Sequence, residues 1–177
     1  MNRTKNWVFK NYWWMAIAVS IGACVIWVLA LSKLEGVAEK YWQVPLTILG
    51  GAFSFAFLVQ KQRLDELKLF RELFAEFNVK YDGLNDDLEK LVSREVDSID
   101  DPKDRQRVVD YFNLCAEEYW WYREGYIPDS VWGYWCRGMK YYLDKTEIKK
   151  LWDEEQKTNS YYGLTLAVVA HGVDLKG

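Results

Sequence analysis

The sequence predicts an all-α protein in which an N-terminal transmembrane helical hairpin is followed by a cytoplasmic helical domain. Two stretches, residues 11–32 and 41–60, contain no Lys, Arg, Asp or Glu. A heptad-like apolar pattern follows between residues 67 and 91. The remaining chain divides into helix-length segments that begin and end at Asp-Pro, Gly and Pro-Asp signals. We therefore expect a hairpin segment at residues 1–60 and one helical domain at residues 61–177.

The two uncharged stretches are each long enough to cross a bilayer. A helix rises about 1.5 Å per residue, so roughly 20 apolar residues span about 30 Å of hydrocarbon. This predicts spans at about residues 12–32 and 42–60, and the short segment between them can only reverse the chain. A cleaved signal peptide is the alternative for the first span. Its apolar run is longer than a signal peptide needs and includes Trp27, which favours a retained helix.

The charges predict the orientation of the hairpin. Residues 1–60 carry five Lys/Arg against two Glu, and residues 61–177 carry 18 Lys/Arg against 24 Asp/Glu, which gives net charges of +3 and −6. Basic residues precede the first span and follow the second, so the positive-inside rule places both termini in the cytoplasm. The acidic domain argues against direct, sequence-independent nucleic-acid binding, which needs a basic face. Three cysteines without a CxxC pair fit a reducing compartment.

Small residues recur at helical spacing inside both spans. Such rows allow close approach of helices within lipid. They predict either packing of the two spans against each other or self-association between copies. Neither span contains an ionisable residue, so any pore would need several copies. The predicted helix-packing residues are Ala16, Ser20, Cys24, Gly50, Gly51 and Ser54, with Ala52 and Ala56 in a further row.

The second span is predicted to continue into an amphipathic, stalk-like helix over about residues 61–91. Its apolar residues alternate in spacings of three and four. The stripe either covers the core of its own domain or pairs with the stalk of another copy and couples the domain to the membrane. Asp82-Gly83 predicts a kink or a break. The coupling stripe consists of Leu67, Phe70, Phe74, Phe77, Tyr81 and Leu84, and continues to Leu88 and Leu91.

Four more helices are predicted in the domain. Asp101-Pro102 is a helix start with the carboxylate as N-cap, and Gly125 is a C-terminal stop. A second helix is expected from Asp129 to about Leu143, and a third from a Thr146 cap to about Gln156. The run from residue 161 to 173 is too short to span a bilayer. It predicts a terminal helix docked on the domain, with a strand as the alternative.

Motifs for catalysis are missing from the sequence. No Walker loop, GxGxxG, HExxH or GxSxG occurs, and no Cys/His spacing fits a metal, so we expect no enzyme activity, cofactor or metal. The lone His171 is interpreted as structural. The carboxylates Glu117 and Glu118 indicate an ion-paired helix face, and an enzyme that uses them is the least favoured alternative. Together with Trp121 and Tyr126, they form the predicted partner face.

Three segments carry a resemblance to a known group. They are Phe77-Asn78-Val79-Lys80-Tyr81-Asp82, then residues 111–119 (YFNLCAEEY), then Gly125-Tyr126-Ile127-Pro128 with Trp132 and Trp135. This pattern resembles the two-span transmembrane effectors that are encoded with retron reverse transcriptases in bacterial anti-phage systems. The resemblance implies an inner-membrane effector that a reverse transcriptase with its RNA–DNA hybrid holds inactive through protein contacts. Release would then damage the membrane and kill the infected cell. A membrane-anchored adaptor without permeabilising activity is the alternative.

Overall fold

The computed structural model describes residues 3–33, 42–94 and 99–175, and this part of the chain is helical without strands. The predicted all-α class is confirmed. Within these residues a short 3₁₀ helix, Gln156–Thr158, follows the fifth of six α-helices. The α-helices are α1 (Arg3–Lys33), α2 (Gln43–Ser93), α3 (Pro102–Arg123), α4 (Asp129–Leu143), α5 (Thr146–Glu155) and α6 (Leu166–Val173).

The described residues form two compact units, one that extends to Lys68 and one that begins at Leu69. The predicted boundary after Gln60 marks the end of the apolar span, whereas the division by packing lies at Lys68. The helix α2 contributes to both units and is continuous through Asp82-Gly83, so the predicted break is wrong, and the alternative of a kink stays a prediction. A helical glycine costs only about 1 kcal/mol. Burial of the adjacent Leu84 outweighs that cost.

The first unit contains α1 and the beginning of α2. Both helices are long and apolar enough to cross a membrane, and only 11% of the most apolar window of each is buried within the protein. Their large apolar side chains point outward on several faces. The exposed ones include Ile17, Val19, Ile21, Val25, Ile26, Val28, Leu29, Leu46, Phe53, Phe57 and Leu58.

The second unit is built around a core to which all of its helices contribute. The end of α2 buries Leu73, Phe77, Leu84, Leu88 and Leu91. Against them lie side chains of the four later helices, several of them aromatic. These are Val108, Phe112 and Cys115 of α3, Trp132, Cys136, Met139 and Tyr142 of α4, Ile148, Leu151 and Trp152 of α5, and Val169 of α6.

Both ends of α3 follow the predicted local chemistry. The Asp101 carboxylate accepts the backbone N–H of Lys103 at 2.8 Å, and Pro102 is the first helical residue. The helix ends at Arg123, and Gly125 then adopts a positive φ of 82°, which glycine tolerates without strain. The predicted Thr146 cap is wrong. Thr146 is the first residue of α5, and Lys145 occupies the cap position without a side-chain bond.

The last helix, α6, docks on α4 through two glycines, and of the terminal helix predicted over residues 161–173 only Leu166–Val173 is helical. A Cβ on Gly172 would collide with the Cys136 sulfur and lie 2.9 Å from Trp132 Nε1. On the facing helix, a Cβ on Gly133 would lie 3.2 Å from the Gly172 carbonyl oxygen. The backbones of the two helices approach this closely because neither glycine has a side chain.

Candidate functional site

In the first unit, α1 and α2 border a shared apolar groove of about 250 Å³. Ala16 and Ala56 are buried here, and the Ser20 hydroxyl donates to the Ala16 carbonyl oxygen at 2.8 Å. Because this hydroxyl is already bonded within its own helix, the groove offers little to a polar ligand. Its lining consists of Trp13, Ala16, Ile17, Ser20 and Ile21 of α1, and Leu49, Ala52, Phe53 and Ala56 of α2.

The predicted helix-packing residues divide into two sets. Ala16 and Ser20 line the groove, whereas Cys24, Gly50, Gly51 and Ser54 are exposed. A Cβ built on either glycine would meet nothing within 4 Å. The same is true of Gly22, which the sequence analysis did not single out. The hairpin therefore packs through its alanines and presents its glycines on the surface.

The predicted coupling stripe also divides. Phe77 and Leu84 are buried in the domain core, Phe70 and Tyr81 are half-buried, and Phe74 lies partly exposed. Leu67 is 55% exposed. The later part of the stripe thus covers the core of its own domain.

One buried residue of α2 does not belong to the stripe. Leu73 is buried although it lies outside the predicted pattern. A straight helix drifts about 20° per heptad relative to a 3.5-residue repeat, so the buried face changes along α2. The three phenylalanines contact one another or α4. Phe74 stacks on Trp135 with ring centroids 6.0 Å apart, Phe77 meets the same ring edge-on at 5.7 Å, and Phe70 lies 5.8 Å from Phe74.

Glu117, a predicted partner-face residue, is engaged within the domain. Its carboxylate accepts from Lys80 Nζ at 2.7 Å, and Lys80 also pairs with Glu76 at 2.9 Å. The hydrogen bond to Glu117 is the main cause that raises the pKa of Lys80. All three side chains are substantially exposed, so solvent screens the pair and its contribution to stability is small.

Glu118 was predicted to be part of the partner face, but it is buried. It is only 8% exposed, and burial, followed by the charge of Glu117, raises its pKa from 4.5 to about 8. Adjacent helical residues diverge by about 100°, so a solvated Glu117 places Glu118 toward the core. The thiol of Cys115 lies in the same region, and burial and the charge of Glu118 raise its pKa well above its usual value. At neutral pH Glu118 is therefore a buried carboxylic acid.

The aromatic part of the predicted face is also rearranged. Trp121 and Tyr126 are half-buried and pack edge-to-face with centroids 5.4 Å apart. The exposed member of the tryptophan pair is Trp120, whose ring lies 4.8 Å from that of Trp121. The accessible aromatic surface is thus Trp120, supported by Trp121 and Tyr126.

A partly buried polar network around Tyr142 was not expected from the sequence. Its hydroxyl lies 3.2 Å from Asn85 Oδ1, 3.1 Å from Glu89 Oε1 and 3.3 Å from the Tyr81 hydroxyl. Burial raises the pKa of Tyr142 above its usual range. Tyr142 and Tyr81 each belong to an apolar pattern, so nothing in their spacing marked them as hydrogen-bonded.

In the described part of the chain, no three His, Cys, Asp or Glu side chains lie together as a metal site requires. His171, which was interpreted from the sequence as structural, is an exposed residue of α6.

No family model, curated protein or solved structure that was compared with this chain matches it. The function is therefore argued from the residues themselves.

Proposed function

We propose that this chain is a membrane-embedded, toxin-like effector of bacterial antiviral defence, similar to the two-span effectors of retrons. In this proposal the hairpin crosses the inner membrane twice, with both termini in the cytoplasm. The helical domain is restrained by a reverse transcriptase that carries an RNA–DNA hybrid, through protein contacts. Release from that partner leads to disruption of the membrane and abortive infection.

The observation that carries the proposal is the outward-facing apolar surface of the hairpin. Burying one large apolar side chain contributes about 1.5–3 kcal/mol, and many such side chains are exposed on α1 and α2. Soluble monomers rarely expose contiguous apolar patches above a few hundred Å². Lipid is the environment that removes this cost, because every backbone group of a helix is already hydrogen-bonded internally.

Disruption of the membrane requires several copies, because the spans hold no charged residue that could line a path through one copy. The exposed Gly22, Gly50 and Gly51 supply a surface on which another helix can approach closely. Helices that meet inside a membrane are held together by van der Waals packing, because lipid tails are as apolar as the helix surface and no hydrophobic effect drives the contact.

A protein partner for the domain is favoured by its charge and its surface. The domain is acidic, so phosphate groups would be repelled by most of its surface. The exposed Trp120, which Trp121 and Tyr126 hold in place, has the amphipathic character typical of interface anchors.

A membrane-anchored adaptor is the second candidate, and one observation favours it. Within a single hairpin, α1 and α2 already bury Ala16 and Ala56, and the Ser20 hydroxyl is already hydrogen-bonded. The hairpin is therefore complete as an anchor without any contact between copies. Such an adaptor would recruit its cytoplasmic partner and leave the membrane intact.

Controlled expression of the full chain in bacteria separates the two candidates. Propidium uptake and membrane potential are followed over minutes after induction. We expect rapid depolarisation from the native chain, and weaker depolarisation from Gly50→Leu, which blocks the outward face without touching the groove. The control is Phe57→Leu, which keeps an apolar side chain at an exposed position of α2.

Membrane insertion is checked for each variant by resistance to carbonate extraction. Intact membranes and normal growth with a correctly inserted native chain would refute the effector and favour the adaptor. Depolarisation that Gly50→Leu leaves unchanged would refute assembly through the glycine face. A chain that carbonate extracts would refute the membrane location itself.

A further inference from the structure

Two tyrosines and two cations form an exposed row along α4 and the start of α5. Tyr134 is 66% exposed and Tyr141 is 47% exposed, although both are large aromatic residues. The Arg137 guanidinium lies 4.4 Å from the Tyr134 ring centroid, and Lys145 Nζ lies 4.9 Å from that of Tyr141. Between them Gly138 is exposed, and a Cβ there would meet nothing within 4 Å. A partner can therefore approach the helix backbone between the two tyrosines.

This row lies in a basic island of an acidic domain. Residues 131–150 carry five Lys/Arg and two acids, a net charge of +3. The rest of residues 61–177 carries the remaining 13 Lys/Arg and 22 acids, a net charge of −9. Both acids of the island are already paired, Asp144 with Lys140 at 2.7 Å and Glu147 with Lys150 at 2.8 Å.

Three cations of the island stay available. Within the described part of the chain, Arg137, Lys145 and Lys149 form no ion pair, although Arg137 donates to the Val173 carbonyl oxygen at 3.3 Å. Lys149 also lines a small cavity of about 190 Å³ where α4, α5 and α6 meet. The apolar lining of that cavity is Leu143, Leu166, Val169 and Ala170. We call Tyr134, Arg137, Tyr141, Lys145 and Lys149 the basic face.

We propose that the basic face docks on the anionic phospholipid headgroups of the membrane in which the chain is anchored. Tyrosine rings with a polar end, and lysine or arginine with long apolar stems, are the side chains that settle at the level of lipid headgroups. The charge difference between the island and the rest of the domain orients the island toward a negative surface. The inference rests on the membrane location proposed above, and it does not depend on toxicity.

The chemistry favours lipid over the other anionic partners. An anchored domain always lies within reach of the bilayer, so docking needs only weak contacts. Each basic residue near an anionic leaflet strengthens such docking about fivefold. A free nucleic acid would have to overcome the net charge of −9 on the rest of the domain without the help of an anchor that already holds the domain beside it.

The test uses the full chain in lipid nanodiscs with one copy per disc. Gly138→Cys is labelled with a polarity-sensitive fluorophore in a Cys24→Ser background, since Cys115 and Cys136 are buried and Cys24 is exposed. We expect a blue shift of the label in discs that contain phosphatidylglycerol and none in pure phosphatidylcholine. A label at Asn113→Cys, an exposed position on α3, is the matched control and should not shift.

Charge reversal tests the cations directly. Lys145→Glu and Lys149→Glu should each reduce the equilibrium constant for docking at least about fivefold, the effect expected for loss of one basic residue. Lys103→Glu makes the same charge change in the first turn of α3 and should leave the shift unchanged. An acid near a helix N-terminus is favourable, so Lys145→Glu should not destabilise α5.

Several outcomes would overturn the proposal. No shift of the Gly138 label in phosphatidylglycerol, or an equal shift in both lipids, would mean that anionic headgroups are not recognised. A shift that appears only with several copies per disc would assign the face to a second copy. A shift that a single-stranded oligonucleotide produces in phosphatidylcholine would assign it to nucleic acid. Failure to enter the discs would instead refute the membrane location, which keeps the two failures distinct.

Discussion

Replacing Glu118 with glutamine should stabilise the helical domain at neutral pH. The carboxyl group is buried with a pKa of about 8, whereas in the unfolded chain its pKa is near 4.5. The folded state therefore holds a proton that the unfolded state releases above pH 4.5. Consequently, stability falls as the pH rises from about 4.5 to about 8, and is independent of this group outside that window. Glutamine has nearly the same shape and remains neutral throughout.

The size of the effect follows from the two pKa values. One pKa unit corresponds to 1.36 kcal/mol, so at pH 7 the native chain loses up to about 3 kcal/mol relative to Glu118→Gln. At pH 5 the difference should be below about 1 kcal/mol for the same reason. Urea unfolding of the full chain in detergent micelles, followed by tryptophan fluorescence, measures both values.

Subtracting the free energy of unfolding of the native chain from that of Glu118→Gln at each pH cancels the contribution of every other titrating group. Glu117→Gln is the matched control, because it removes a neighbouring carboxylate that is solvated and paired with Lys80. It should change stability by less than about 1 kcal/mol. A free-energy difference between the native chain and Glu118→Gln that stays constant from pH 5 to pH 8 would refute the raised pKa.

Three further substitutions, two of them with a matched control variant, test the packing in the same unfolding assay. Gly172→Ala should destabilise the domain by about 2 kcal/mol, because the alanine methyl group has no room against α4. Gly138→Ala, its control, should stabilise the domain by about 0.5–1 kcal/mol. Equal effects of the two substitutions would contradict the docking of α6. Tyr142→Phe should cost about 1–2 kcal/mol, because it removes the hydroxyl that hydrogen-bonds with Asn85 and Glu89, and an unchanged midpoint would argue against the network. Leu88→Ala should cost about 3 kcal/mol because Leu88 is buried. Leu67→Ala should cost less than about 0.5 kcal/mol because Leu67 is exposed. Similar losses of stability would contradict the division of the stripe into a buried and an exposed part.

The elements that were predictable are those with a local chemical signal. Asp101-Pro102 specified the start of α3, and Gly125 specified its end, because one side-chain acceptor and one positive φ suffice. The two long apolar helices were predictable from the length of two stretches without charged residues. The wrong assignments were also local. Asp82-Gly83 carries a break signal that the burial of its neighbours outweighs, and Thr146 carries a cap signal that the backbone does not use.

What was not predictable depends on how helices meet. The sequence places Glu117 and Glu118 side by side, and only the packing of α3 shows that one is ion-paired and the other buried. Gly133 and Gly172 are 39 positions apart, so their shared close approach has no local signature. The basic face combines side chains of α4 and α5 that carry no motif, which is why spacing did not reveal it.

The helix α2 indicates how fold and proposed function are separated along one element. Leu84, Leu88 and Leu91 are buried, so the end of the stripe is accounted for by the stability of the domain. Leu67 is exposed and contributes little to the fold. An apolar residue at an exposed heptad position is consistent with selection for a contact outside the folded chain, either with lipid or with another copy. The coupling function predicted for the whole stripe is therefore confined, in our proposal, to its first turns.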